Sequence, residues 1–260
     1  MWLKIWKISA TGVTMHKTSH ISPFTGIRDA GDHRRRVMFK RFGTGSVRLL
    51  VLMLLLLANT GCAAVFSGQA AASTVEPGTI LFSDDFSDQL NGWGVWDREG
   101  GSVAYHQGGL RILVKETQFD FWSVAGRRFE DVQVEVDAAR IGGPDDNDFG
   151  LICRYVDKDN FYLLVVSSDG YYGIAKVKQG QYSMIGSEQL QYSGAIAGGQ
   201  AVNRLSAVCV GSTLTLYANG IKLMEAEDSD FTAGDVGVLA GAYNTTGVEI
   251  LFDNFMVKKP

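Results

Sequence analysis

Proline, cysteine and histidine are scarce in this 260-residue chain, at 4, 3 and 4 copies against 31 glycines. Three histidines, His16, His20 and His33, lie close to the amino terminus, which leaves His106 alone in the remainder. A Ser-His-Asp triad or a histidine zinc site needs partners around its imidazole, and none is grouped here. No glycine loop of the phosphate-cradling type leads into a helix. No stretch sustains a 3.6-residue apolar period, so helices are not expected. Basic charge is also lacking where the chain looks globular. The first 48 residues hold ten of the 24 Lys and Arg but only two of the 28 Asp and Glu, so the remainder carries a net charge of −12. An acidic body repels phosphate backbones, which excludes nucleic acid as a partner.

What the chain has is glycine, aromatics and β-branched residues, the composition of an all-β protein with many tight turns. Residues 148–178 carry the clearest pattern. Phe149, Leu151, Cys153 and Tyr155 alternate with Ile152 and Arg154, which predicts a half-buried strand with the first four on one face. Asp157, Lys158, Asp159 and Asn160 supply turn chemistry, a second strand spans 161–166, and Ser167, Ser168, Asp169 and Gly170 turn the chain into a third over 171–178. Similar segments cover 80–86, 102–106, 110–115, 119–124, 132–138, 181–186, 203–210, 213–217, 221–226, 236–242 and 248–257. Ala218, Asn219 and Gly220 mark a hairpin. About a dozen strands result, with a looser glycine-rich connection from 187 to 200.

The amino-terminal part reads as an address. Lys40, Arg41 and Arg48 precede the apolar run 49–58, the order of a secretory signal. Met38 opens that signal at the usual distance, so residues 1–37 are either an over-extended gene start or a cytoplasmic extension ahead of an uncleaved anchor. Ala58, Asn59, Thr60, Gly61 and Cys62 resemble a bacterial lipobox, which implies lipidation at Cys62 and a membrane-held or secreted product; Asn59 departs from the usual aliphatic residue. Residues 63–78 are small and polar, as a tether would be, and 79–259 form the domain.

Within that domain, Asp84-Asp85-Phe86-Ser87-Asp88 with Gly92-Trp93, then Phe149 to Tyr155, Asn160-Phe161-Tyr162, Leu216 to Gly220 and Phe252-Asp253-Asn254-Phe255 resemble bacterial extracellular concanavalin A-like lectin/glucanase domains. The resemblance implies a two-sheet antiparallel jelly-roll sandwich whose concave face holds a glycan or another cell-envelope ligand. It does not imply catalysis, because the superfamily mixes enzymes, lectins and adhesion modules.

Glu135 and Asp137 resemble the carboxylates of the glucanase strand, since residues two apart project to the same side. Retaining hydrolysis places two carboxyls about 5–5.5 Å apart. At the acid/base position stands Arg140, which cannot exchange a proton near neutral pH. The plainer alternative is two solvated carboxylates alternating with core valines. A glycoside hydrolase, either glucanase-like or similar to the keto-disaccharide hydrolases that the resemblance also covers, would need a replacement acid, Asp148 or Glu249. Sugar rings stack their apolar C–H faces on flat side chains, so Trp96, Tyr105, Trp122, Tyr171, Tyr172 and Tyr182 are candidate ligand contacts, with core packing as the alternative for each. Arg154, among apolar neighbours, is either a buried carboxylate partner or a donor to ligand. Asp84, Asp85, Asp88 and Asp253 come together if the first and last strands pair, and could then bind calcium or simply stabilise turns; no other cofactor is implied. Cys153 and Cys209 form either a disulfide or a pair of buried thiols.

Overall fold

The computed structural model describes residues 75–260, and it contains strands and turns with no helix among them. The expectations for the leader 1–37, the signal 38–62, Cys62 and all but the last residues of the tether lie outside the described residues. One sheet has nine strands: β1 (Ile80–Asp84), β2 (Trp96–Arg98), β3 (Gly101–His106), β4 (Gly109–Val114), β6 (Val132–Gly142), β12 (Asn203–Val210), β13 (Thr213–Ala218), β14 (Ile221–Glu227) and β16 (Val248–Lys258). The other has seven: β5 (Phe119–Val124), β7 (Asn147–Asp157), β8 (Asn160–Val166), β9 (Tyr171–Lys178), β10 (Gln181–Ile185), β11 (Gln191–Tyr192) and β15 (Asp235–Ala242).

Their orders are β14-β13-β12-β6-β16-β4-β3-β2, with β1 on β16, and β10-β9-β8-β7-β15-β5, with β11 on β9. Every pairing is antiparallel. The expected pairing of first and last strands is present, with Asp84 opposite Phe255. The two-residue strand β11 occupies the connection expected to be irregular.

The period-two pattern explains the layers. On β6, Val132, Val134, Val136 and Ala138 point into the core while Gln133, Glu135 and Asp137 point out. Phe149, Leu151 and Cys153 on β7 and Leu205, Ala207 and Cys209 on β12 complete the space between the sheets. Cys153 and Cys209 are joined there by a disulfide, 56 residues apart in sequence and fully buried. It ties the seven-stranded sheet to the nine-stranded one through the middle of the core.

The alternation expected along β7 breaks at Arg154. This residue has φ +55°, and the register to β8 shifts between Cys153 and Asp157. Such a bulge moves the following side chains to the other face, so Tyr155 joins Ile152 on the outside instead of following Cys153 inward. Gly234 fits against the bulge: a Cβ there would lie 2.4 Å from the Arg154 carbonyl carbon. Arg154 itself, 1% exposed, turns to the end of the sandwich. It donates to the Phe231 carbonyl at 2.8 Å and pairs with half-exposed Asp131 at 3.4 Å. Asp131 also accepts from the Gly211 amide.

A second tie between sheets is ionic. Asp228, just after β14, accepts from the Tyr162 hydroxyl at 2.6 Å and pairs with Lys176, while Asp230 pairs with Lys176 and Lys178. Burial raises the Asp228 pKa, but the bonds from Lys176 and Tyr162 outweigh it and hold the group below its ordinary value. Lys176 and Lys178 lower that of Asp230. For depressed carboxylates the stabilisation is complete above the unfolded pKa of about 3.9 and disappears as pH falls through the folded values. Urea unfolding between pH 2 and pH 8 is therefore expected to show an acid loss that Asp228→Asn makes shallower. Superimposable acid limbs would remove this tie from the account.

Candidate functional site

The outward face of the seven-stranded sheet divides into two parts. Ile152, Leu163, Val165, Ala175, Val177 and Leu239 form an aliphatic floor. Aromatic rings lie over it. Trp122 belongs to β5 and Phe161 to β8, three strand positions away, yet their centroids are 5.3 Å apart. The indole therefore lies along the sheet. Tyr155, delivered to this face by the bulge, packs on Phe161 at 5.4 Å. Burial raises its phenol pKa, against the lowering effect of a hydrogen bond from Trp122. Tyr182 and Met184 adjoin this cluster, and Met184 and Leu190 fill the space above Gly173, where a Cβ would lie 2.6 Å from the Met184 methyl.

The other part is a polar and aromatic band running across the strands. Gly241 lies opposite Asp120 on one side and Asp148 on the other. Each Asp adjoins inward-facing phenylalanines (Phe119 and Phe121, or Phe149), so alternation sends both carboxylates outward. They stand on the strands either side of β15, two strand spacings or about 10 Å apart. Both are buried. The β7–β8 register continues the row to Ser167, and Tyr171 and Tyr192 end it, paired across β9 and β11. Burial and then the charge of Asp148 raise the phenol pKa values of Tyr182 and Tyr243, with Asp120 contributing to both. Two neutral hydroxyl donors thus share the region with two carboxylates. Asp120, Asp148 and the two phenols are buried, so the part of the band open to a polyhydroxylated ligand is its Tyr171–Tyr192 end, where a flat ring can stack and the 167–171 turn can hydrogen-bond.

The other residues singled out from the sequence lie elsewhere. Tyr172 faces the core, its hydroxyl donating to Gln191 at 2.9 Å. Trp96 sits on the edge strand β2 of the other sheet, edge-on to Phe121 and beneath the Arg98 guanidinium. Tyr105 packs partly buried against the core from β3, and His106 ends that strand. Arg154 points to the end of the sandwich and away from the band.

Glu135 and Asp137 share a face, as expected, but it is the outward face of the nine-stranded sheet. Arg204 bridges them at 2.8 and 3.1 Å, and Lys258 holds Glu135 at 2.8 Å. Burial opposes, but the bonds from Lys258 and Arg204 outweigh it and depress the Glu135 pKa. That is the opposite of what a proton-donating acid requires. Glu249, on the same sheet, pairs with Arg111 at 3.6 Å.

The aspartate corner is a set of turns. Asp84 accepts from the Phe86 amide and the Trp93 indole, both at 2.8 Å. Asp85 accepts from Ser87, Asp88 from the Leu90 amide, and Asp253 from the Asn254 amide. Among the described residues no group of three or more His, Cys, Asp or Glu is arranged to hold a metal ion.

Asp120 and Tyr192 were not legible as site residues. The signal for Asp120 was present in the alternation Phe119-Asp120-Phe121. Tyr192 sits in a segment whose strand is only two residues long.

No family model matches the chain, and no curated protein matches it. Solved structures do. A carbohydrate-binding module, CBM66 from Bacillus subtilis, matches with TM-score 0.53 and 18% identity over 66% of this chain and 98% of that one. The fold is concanavalin A-like. A Bacillus subtilis protein of unknown function with a galectin-like fold matches this concanavalin A-like sandwich with TM-score 0.52 and 13% identity, over 71% of this chain and 97% of its own. A β-glucanase from Bacillus licheniformis matches with TM-score 0.51 and 11% identity, over 71% and 100%. At these identities the likeness is one of architecture.

Proposed function

We propose that the protein is an exported, membrane-tethered, non-catalytic module that binds carbohydrate on the outward face of its seven-stranded sheet. The exposed end of the band, Tyr192 paired with Tyr171 beside the polar 167–171 turn, carries the reading, because it joins a flat ring to hydrogen-bonding groups at the surface. Carbohydrate-binding and glycan-acting proteins among the structures of like fold support a glycan ligand. Export has independent support from the buried Cys153–Cys209 bridge, since disulfides of this kind persist in oxidising compartments. The basic residues ahead of 49–58 and the lipobox-like end at Cys62 agree with it. Intact-mass analysis of membrane-extracted protein should find a diacylglycerol on Cys62, and an unmodified amino terminus would remove the tether.

The pairing of Glu135 and Asp137 with Arg204 supports a non-catalytic role. One observation favours a second reading, glycoside hydrolysis. Asp120 and Asp148 flank Gly241 on neighbouring strands, about 10 Å apart by strand spacing, against roughly 6.5–9.5 Å between the two carboxyls of inverting hydrolases. Product chromatography after incubation with laminarin, xylan and cello-oligosaccharides separates the two. Binding without new reducing ends supports the module; release of oligosaccharides that Asp148→Asn abolishes and Glu135→Gln does not would make it a hydrolase.

A further inference from the structure

Tyr192 is 67% exposed, a large aromatic left in solvent, yet its position is fixed from several sides. Its backbone pairs with Tyr171, and the next amide, Ser193, donates to the Gly170 carbonyl at 2.9 Å. The preceding residue, Gln191, is anchored by the Tyr172 hydroxyl. The ring stands edge-on to that of Tyr171, with centroids 5.8 Å apart. It also lies against the backbone of Gly170, where a Cβ would come within 2.7 Å of the ring. Gly170 has φ +94°, so the tight turn and the close approach of the ring both require glycine there. A side chain held in place before ligand arrives loses little freedom on binding, which is how rigid aromatics contribute affinity.

We infer that Tyr192, backed by Tyr171, is a stacking subsite for an uncharged sugar ring at the β9–β11 margin of the sheet. The inference rests on the carbohydrate reading and assigns the class of sugar. An exposed ring offers one flat face to a pyranose C–H surface. The surrounding segments, 167–171 and 187–194, carry Asp169 and Glu188 and no Lys or Arg. Asp169 is joined to Ser167 beside the platform. From these two segments a uronate or sulfated unit would meet like charge and no cation, whereas a neutral sugar can donate its hydroxyls to these acceptors.

The test is titration calorimetry of the full-length protein with laminarihexaose, cellohexaose and xylohexaose, and with an oligogalacturonate of equal length. At least one neutral hexasaccharide should bind and the oligogalacturonate should not. Tyr192→Ala should weaken the bound hexasaccharide about tenfold, the usual loss for a truncated aromatic anchor, with an unchanged melting temperature. Tyr192→Phe, which keeps the ring, should retain binding. Undiminished binding by Tyr192→Ala, or preferential binding of the oligogalacturonate, would overturn the subsite while leaving a carbohydrate module in place. Failure of the unmodified protein to bind any of the four would instead remove the carbohydrate reading and the subsite with it.

Discussion

Replacing Cys153 and Cys209 together by alanine should lower the free energy of unfolding by about 4 kcal/mol, seen as a drop in melting temperature of about 8–16 °C for a domain of this size. The bridge closes a loop between residues 56 apart, and constraint of the unfolded chain grows with the logarithm of that length. It also fixes β7 to β12 across the centre of the core, where neither sulfur meets solvent. Reductant should therefore leave the native protein untouched and act only after denaturation. A loss below about 1 kcal/mol in the double variant would mean that the apolar core holds the sheets together without the bridge. Rapid reduction under native conditions would contradict its burial.

Arg154→Ala should cost about 3 kcal/mol, from the cavity left by a long buried side chain and from an acceptor left without its donor. Arg154 donates to the Phe231 carbonyl and orients Asp131, which in turn accepts from Gly211. The bulge that turns Arg154 aside also sets Tyr155 on the outward face, so the variant should disturb the aromatic layer above the sheet as well as overall stability. Near-ultraviolet circular dichroism reports the tyrosine and tryptophan packing alongside the denaturation curve. A variant with native stability and an unchanged aromatic spectrum would show that the bulge does not depend on this side chain.

The two-sheet architecture was readable because alternation is a local signal. Val132, Val134 and Val136 announce their sheet face in a stretch of five residues, and Asn219-Gly220 announces its hairpin in two. What escaped was non-local. The alternation through Cys153 to Tyr155 is regular in sequence, and only the approach of Gly234 from another part of the chain accompanies the bulge that reverses it. Glu135 and Asp137 have the spacing of a catalytic strand, but Arg204 and Lys258, distant in sequence, neutralise them on the other sheet. Tyr171 and Tyr172 look equivalent as letters, yet neighbouring positions on a strand face opposite ways, and only the first reaches the band. Asp120 and Asp148 become neighbours through β15, which follows them by more than eighty residues.

The assignment of ligand binding to the seven-stranded sheet is tested most directly by mapping amide chemical shifts of the isotopically labelled protein during titration with the bound neutral hexasaccharide. The account predicts perturbations concentrated at Tyr171, Tyr192, Asp148 and Gly241, fading toward the aliphatic floor under Trp122. Perturbations centred instead on Glu135, Asp137 and Arg204 would place the ligand on the opposite sheet and contradict it.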